Sequence, residues 1–389
     1  MIHKWKYGAT LKHGTPHSKT CDGANVAPSD AKLMLSLVVP AYNEAEILAK
    51  NIDVLCRYLE GLEARYSWEI IIVNDGSSDN SGAVAEDCAK CRDNICVLHH
   101  SYNFRLGQAL RFAFTRCSGD FVVVMDIDLS YSPDHIERMV EKIIETKAKI
   151  VIASPYMKGG KVSNVPLIRR LLSKWANWFL CLVAQKDKFS DKITTMTGMV
   201  RTYDRRFLSL LNIKAMDVDI NPEIIYKAMI LRARVVEVPA HLNWSTEKTA
   251  EAGSGTSRKS SLRVIRSIIQ SLLSGFMFRP FMFFIIPGVS LVLLSFYPIF
   301  QALLRFLYFY QSPGGLDISD AIGISFHKSP HAFLVGGFAL IAGIQLFNIG
   351  LIALQNKRYF EEIFHINSSI LKACQELRDP EVKEKLIKL

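Results

Sequence analysis

The sequence predicts an α/β domain built on a parallel sheet with helices on both faces, followed by helices that enter a bilayer. Three observations carry this prediction. Short runs rich in Val, Ile and Leu alternate with helical stretches from Leu33 to about Val238, the pattern of strands buried between covering helices. Three of these runs end on clusters of polar and acidic residues, at 42–44, 74–77 and 126–128. Two uncharged stretches, Phe281–Leu304 and Ala332–Leu354, each reach the roughly 20 residues that cross a membrane.

The elements follow in order. Residues 33–40, LMLSLVVP, read as a strand bounded by Pro40. Residues 44–62 have helical character, with Asn43 placed as N-cap. A second strand (68–74) and helix (81–92), a third strand (95–100) and helix (107–117), and a fourth strand (120–126) complete a βαβαβαβ run. In such sheets ligands bind beyond the carboxyl ends of the strands, which is where the polar clusters lie.

The formal net charge is +10, a balance that suits nucleic acid, an anionic membrane surface or a phosphorylated ligand. Placement decides among them. Residues 257–280 carry five Lys/Arg and no acid, with apolar residues near helical spacing. That is the pattern of an amphipathic helix on an anionic membrane. Residues 156–178 combine a Gly-Gly turn, five basic residues, Trp175 and Trp178, which suits the headgroup level. Nucleic acid fits poorly, because the cations lie beside membrane segments. Arg279 on one side and Lys357 and Arg358 on the other flank the two apolar stretches, so the positive-inside rule places both ends and the α/β domain in the cytoplasm. Residues 1–32 are polar, basic and His-rich and read as a loose tail, and residues 357–389 read as a cytoplasmic C-terminal tail. Of eight cysteines only Cys88 and Cys91 form a CxxC pair, with His99 and His100 nearby. Without a second pair this reads as reduced thiols rather than a zinc site.

The chemistry concentrates at VVVMDIDLSYSP (122–133). In an extended strand residues i and i+2 share a face, so Asp126 and Asp128 converge beyond the sheet edge if the strand geometry persists. Two clustered carboxylates need a cation or donors. Mg2+ or Mn2+ takes oxygen ligands and often shares them with substrate phosphates. In VNDGSSDNS (73–81), Asp75 accepts hydrogen bonds from a nucleoside and Gly76 permits a tight turn. In PAYNEAE (40–46), Tyr42 stacks on a base or ribose, while Glu44 binds a hydroxyl or favours a helix start.

These stretches, with YMKGGKVSN (156–164) and TGMVRTY (197–203), fall in the order seen in family 2 glycosyltransferases. Over about residues 33–245 the chain resembles the dolichol- and polyprenyl-phosphate sugar synthases. The resemblance implies a GT-A, Rossmann-like nucleotide-sugar-binding domain over 33–256, then the interfacial helix (257–280) and a two-helix transmembrane hairpin (281–356). It implies inverting transfer of a sugar from a nucleotide sugar to a polyprenyl phosphate, in a two-pass membrane enzyme that is compatible with a homo-oligomer. Pro40, Tyr42, Glu44, Val73 and Asp75 match nucleotide-binding positions. Asp126, Ile127 and Asp128 match the DxD motif, with Asp128 as metal ligand. Arg201 and Tyr203 match the basic-aromatic end of the acceptor-side segment.

Three positions depart from that pattern. Ser130 stands where the family carries Gln, leaving a shorter hydroxyl as metal ligand. Ala153-Ser154-Pro155 replaces Gly-Ser-Arg, and Ser245 falls where an Arg usually follows the E-V-P strand. Lys158, Lys161, Arg169, Arg170 and Arg258 supply positive charge instead, with Arg258 and Lys259 aligned to a later Gly-x-Ser-Lys. An anionic phosphate acceptor needs positioning more than a base. A glycolipid or saccharide hydroxyl would need one, and Asp191, Asp217, Asp219 and Glu223 are the candidates. A catalytically silent scaffold would explain Ser130 and Pro155 but not the retention of Glu44, Asp75, Asp126 and Asp128.

Overall fold

A computed structural model describes residues 32–184, 193–244, 280–311 and 316–378. The N-terminal tail, the helix expected over 257–280, Arg258, Lys259 and Asp191 lie outside the described residues, as do 379–389.

Among the described residues nine strands form, β1 Leu33–Ala41, β2 Tyr66–Asn74, β3 Ile95–His99, β4 Phe121–Val124, β5 Ile150–Ser154, β6 Lys161–Ser163, β7 Arg201–Asp204, β8 Val235–Pro239 and β9 His241–Asn243. Seven make one sheet in the order β3-β2-β1-β4-β7-β5-β8, and β6 and β9 pair as a parallel ribbon. The helices of this region are α1 Ala45–Glu60, α2 Ser81–Lys90, α3 Leu106–Phe114, α4 Asp134–Thr146, α5 Leu167–Ala184, α6 Arg205–Leu210 and α7 Ile220–Ile230.

The sheet is mixed rather than parallel. Four-residue β7 runs antiparallel to both β4 and β5. Its partners lie far away in sequence, so local periodicity does not report its direction. All other neighbours are parallel, which aligns the carboxyl ends of β1, β2, β4, β5 and β8 along one edge with the start of β7. Strand order reverses between β1 and β4, the switch point where α/β sheets open a ligand crevice.

Alternation along the strands divides the core. Leu35, Leu37, Val39 and Ala41 of β1 pack with Leu48, Ile52 and Leu55 of α1 and Ile136, Met139 and Val140 of α4. Val38, with Val73 and Val124, faces the other way onto Ala109, Leu110 and Ala113 of α3 and Ile224, Ile225 and Ala228 of α7. Each such aliphatic side chain contributes about 1.5–3 kcal/mol on burial.

Among the described residues, two helices are long and apolar enough to cross a membrane. The first runs Ile286–Tyr310 after a π-type turn at Phe281–Ile285, and the second runs Pro330–Arg378, with a short helix, Ile318–Lys328, between them. A Cβ on Gly288 would meet Phe347 N at 2.8 Å, and one on Gly343 would meet Gly288 O at 2.9 Å. Small residues thus let the two backbones approach closely.

The second helix does not end near residue 356, as a tail at 357–389 would require. It continues as helix to Arg378 and docks on the sheet domain. Phe364 is buried in the α6–α7 side of the core. Glu361 Oε1 accepts from Tyr226 Oη at 3.3 Å, and Lys227 Nζ sits 5.5 Å over the Phe364 ring. Phe179 of α5 packs edge-on against Phe283 at 5.7 Å, so both arms of the hairpin rest on the domain.

Candidate active site

The site is a set of loops at the switch-point edge. On the β4 side the extended geometry stops early. After Val124 the chain leaves the sheet, Asp126 O accepts from Leu129 N at 3.3 Å, and Leu129 has φ 50°. A turn, not strand alternation, therefore presents Asp126 and Asp128. Both are partly exposed. Asn51 Nδ2 of α1 donates to Ile127 O at 2.8 Å, and Ser130 N donates to Asp128 Oδ1 at 2.9 Å. Asn243 N of β9 donates to Ser130 O at 2.9 Å. Ser130 is buried and meets Asp128 through its amide. Burial, with the Asp126 carboxylate next in effect, raises the Tyr131 phenol well above its usual range.

The β1 and β2 loops are stitched together. Asn43, at φ 56°, accepts from Ser78 N through Oδ1 at 2.8 Å. It does not cap α1. The amides of Glu44 and Ala45 instead donate to Ser81 Oγ (2.8 Å) and Asp79 Oδ2 (3.1 Å). Tyr42 is 46% exposed beside this seam, open to a planar ligand, and Pro40 and Glu44 are partly exposed. The side chains of Val73 and Ile127 are core, so a ligand at those two positions meets main chain.

Asp75 is buried at the end of β2. Its Oδ1 accepts from Phe104 N at 3.0 Å and lies 2.6 Å from His100 Nδ1. His100 is stacked on Phe112 at 5.3 Å. In the sequence His100 stands out only beside the cysteines. The signal that could have found it is its place at the end of β3, next to β2 in the sheet. His99 is occupied elsewhere, by Asn74 and Glu86. Gly76 has φ 64°, and a Cβ there would lie 2.1 Å from the Tyr102 carbonyl carbon. Gly76→Ala is expected to lower stability by roughly 1–3 kcal/mol, read as a drop in melting temperature.

Arg201 does not face a ligand. It is fully buried, and its guanidinium donates to Met196 O (2.6 Å), Gly198 O (2.7 Å) and Asn221 O (3.0 Å). A place facing the acceptor or its phosphate, which the resemblance implies for the basic end of this segment, is inconsistent with that burial. Lys158 and Arg170 are exposed, in the β5–β6 turn and on α5, and Arg169 lies in α5. The candidate bases among the described residues, Asp217, Asp219 and Glu223, have partners of their own. Asp217 pairs with Arg105 at 2.7 Å, Asp219 Oδ1 accepts from Asp217 N, and Glu223 pairs with Lys227 at 2.5 Å while accepting from the amides of Lys214 and Ala215.

For a divalent ion the donor set fits in part. Asp126 and Asp128 offer hard oxygens, which suit Mg2+ or Mn2+. Among the described residues no group of three or more His, Cys, Asp or Glu is placed to hold a metal. An ion at Asp128 would therefore complete its shell with ligand oxygens or water.

Residues 36–208, which hold the acidic turn at the switch point, match the model of Glycosyl transferase family 2. That match spans fewer than half of the 389 residues. The chain is 35% identical over 144 residues to a dolichol-phosphate mannosyltransferase of Pyrococcus furiosus, covering 37% of this chain and 39% of that one. It is 28% identical over 228 residues to a polyprenol monophosphomannose synthase of Mycolicibacterium smegmatis, covering 56% and 79%. The chain thus spans about two fifths of the first relative's length. Among solved structures, glucosyl-3-phosphoglycerate synthase from Mycobacterium tuberculosis with Mn2+, uridine diphosphate and phosphoglyceric acid aligns at TM-score 0.43 and 20% identity, covering 62% of this chain and 78% of that one.

Proposed function

We propose that the protein is an inverting glycosyltransferase that moves a sugar from a nucleotide sugar to a polyprenyl phosphate at the cytoplasmic face of a membrane. The observation that carries this reading is the docking of two membrane-length helices directly onto the sheet domain that holds the family 2 match. Residues 361–368 and Phe283 pack on the same domain whose edge bears Asp126 and Asp128. A lipid-borne acceptor would then need to travel little from its bilayer to the site. The names of the relatives point the same way.

In this reading Tyr42 and Asp75 hold the nucleoside, with Pro40, Glu44 and the main chain of Val73 and Ile127 lining its place. Asp128 would hold Mg2+ or Mn2+ with Asp126 beside it, and the ion when bound supplies positive charge against the leaving diphosphate. Lys158, Arg169 and Arg170 attract the acceptor phosphate. That phosphate is already anionic at neutral pH, so no base is required. This agrees with Asp217 and Glu223 being tied up in ion pairs with Arg105 and Lys227.

The test is a donor screen on membranes containing polyprenyl phosphate, with the lipid product read by mass. A sugar added to the lipid phosphate supports the reading, and transfer only to hydroxyl-bearing lipids or saccharides refutes it. His100→Ala, which removes the partner that orients Asp75, is expected to raise the donor KM about five-fold, the worth of one hydrogen bond of ~1 kcal/mol. Its kcat should change little. An unchanged KM would separate Asp75 from donor binding.

A further inference from the structure

The short helix Ile318–Lys328 between the two membrane-length helices divides its surface three ways. Ala321 and Ser325 are buried against the neighbouring helices. Ser319, Asp320, Gly323 and His327 form an exposed polar side. Ile318, Ile322 and Phe326, at i, i+4 and i+8, form a third side and are 55%, 47% and 41% exposed. A helix in water would not keep a separate apolar stripe beside an already buried one.

Both ends of this helix are fastened. Asp317 Oδ1 accepts from Ile318 N at 2.9 Å at the start. At the end, Arg305 of the first membrane-length helix donates to Lys328 O at 3.2 Å and to Ser329 Oγ. Lys328 Nζ lies 4.7 Å over the Phe309 ring. The helix thus sits where Tyr308 and Tyr310, 74% and 45% exposed, give the first long helix an aromatic end. Such belts mark the membrane–water interface. Phe281–Tyr310 spans 30 residues, about 45 Å of helix at 1.5 Å per residue, and its other end packs on the sheet domain.

We propose that Ile318–Lys328 is an interfacial helix on the bilayer face opposite the catalytic domain, with Ile318, Ile322 and Phe326 in the acyl region and Asp320 and His327 in water. The occupant of the apolar stripe is lipid, because the adjoining membrane-length helix likewise exposes apolar side chains, Phe300, Leu303, Leu304 and Leu307. The inference rests on the hairpin crossing a membrane. The helix would act as a stop that fixes how deep the hairpin sits, and so the height of the catalytic edge above its own leaflet.

The test uses the full chain in proteoliposomes, with tryptophan placed singly at Phe326, at Ser319 and at Phe300, each read as the difference from the parent with its five native tryptophans. Lipids brominated near the headgroup are expected to quench Phe326→Trp, with aqueous iodide having little effect. Iodide is expected to quench Ser319→Trp. Phe300→Trp reports on the hairpin itself. Bromolipid quenching at 300 with iodide quenching at 326 overturns the proposal and leaves the membrane hairpin standing. Quenching by iodide at both 300 and 326 removes the hairpin reading as well. Protection of 326 from both quenchers would mean that protein, such as a second copy of this chain, covers the stripe, and that also overturns it.

Discussion

Asp128→Asn is expected to reduce sugar transfer by about 100- to 1,000-fold, the usual loss when a charge-stabilising group at a leaving group is removed, with the melting temperature nearly unchanged. Asp128 is partly exposed and ends a turn, so its replacement leaves no buried cavity. The turn itself is held from elsewhere, by Asn51 on Ile127 O and by Asn243 on Ser130 O. Asparagine keeps the oxygen that accepts from Ser130 N and loses the charge and the second oxygen. The loss would therefore measure the role of the carboxylate. Ser130→Ala supplies the contrast. Its contact with Asp128 is made by the main chain, so alanine is expected to retain most activity. If Asp128→Asn and Ser130→Ala lose activity equally, the site is not organised around Asp128. Steady-state rates with saturating donor, and with Mn2+ titrated, distinguish the outcomes.

Much of the fold was legible because it is local. Alternating Val and Ile in β1 and β2, the helical stretches between them, and the uncharged runs at 281–304 and 332–354 each declare themselves within about 20 residues. What was not legible is non-local. β7 is RTYD, four residues whose direction depends on β4 and β5, some 80 and 50 residues before it. The continuation of the last helix beyond 356 was masked by its charges. Yet Lys357, Glu361, Phe364 and Ser368 follow helical spacing, and Glu361, Phe364 and Ser368 all meet the sheet domain.

The site divides along the same line. That acids and polar residues gather at the carboxyl ends of the strands was readable, because the sheet's direction follows from the βα alternation. How they are presented was not. Asp126 and Asp128 were brought together on the assumption of extended backbone, whereas Leu129 at φ 50° closes a turn there. His100 became part of the Asp75 site only once β3 was seen to lie beside β2. Arginine is the hardest case, since a guanidinium binds a phosphate or a set of carbonyls with the same donors.

Arg201 is such a case, and Arg201→Met is expected to destabilise the protein by roughly 3–5 kcal/mol, as when one member of a buried charged network is deleted. The segment 194–198 has no regular secondary structure, so its main-chain groups need partners from outside. Glu237 takes the amides of Thr194 and Thr195 at 2.9 and 2.7 Å. Asn177 takes those of Met196 and Thr197 at 2.8 and 3.1 Å. Arg201 takes the carbonyls of Met196 and Gly198, and ties them to Asn221 O at the start of α7. Burial pulls the Arg201 guanidinium below its usual pKa and pushes the Glu237 carboxyl above its own, so both are retained against a desolvation cost. Methionine fills similar space but removes the guanidinium donors from the carbonyls of Met196, Gly198 and Asn221. Lysine has a single ammonium in place of the planar fork and is expected to restore only part of the loss. Thermal unfolding in detergent reads both. If Arg201→Met melts like the parent while the KM for the lipid acceptor rises sharply, Arg201 binds phosphate after all, and the carbonyl cage is a resting arrangement that opens for the acceptor.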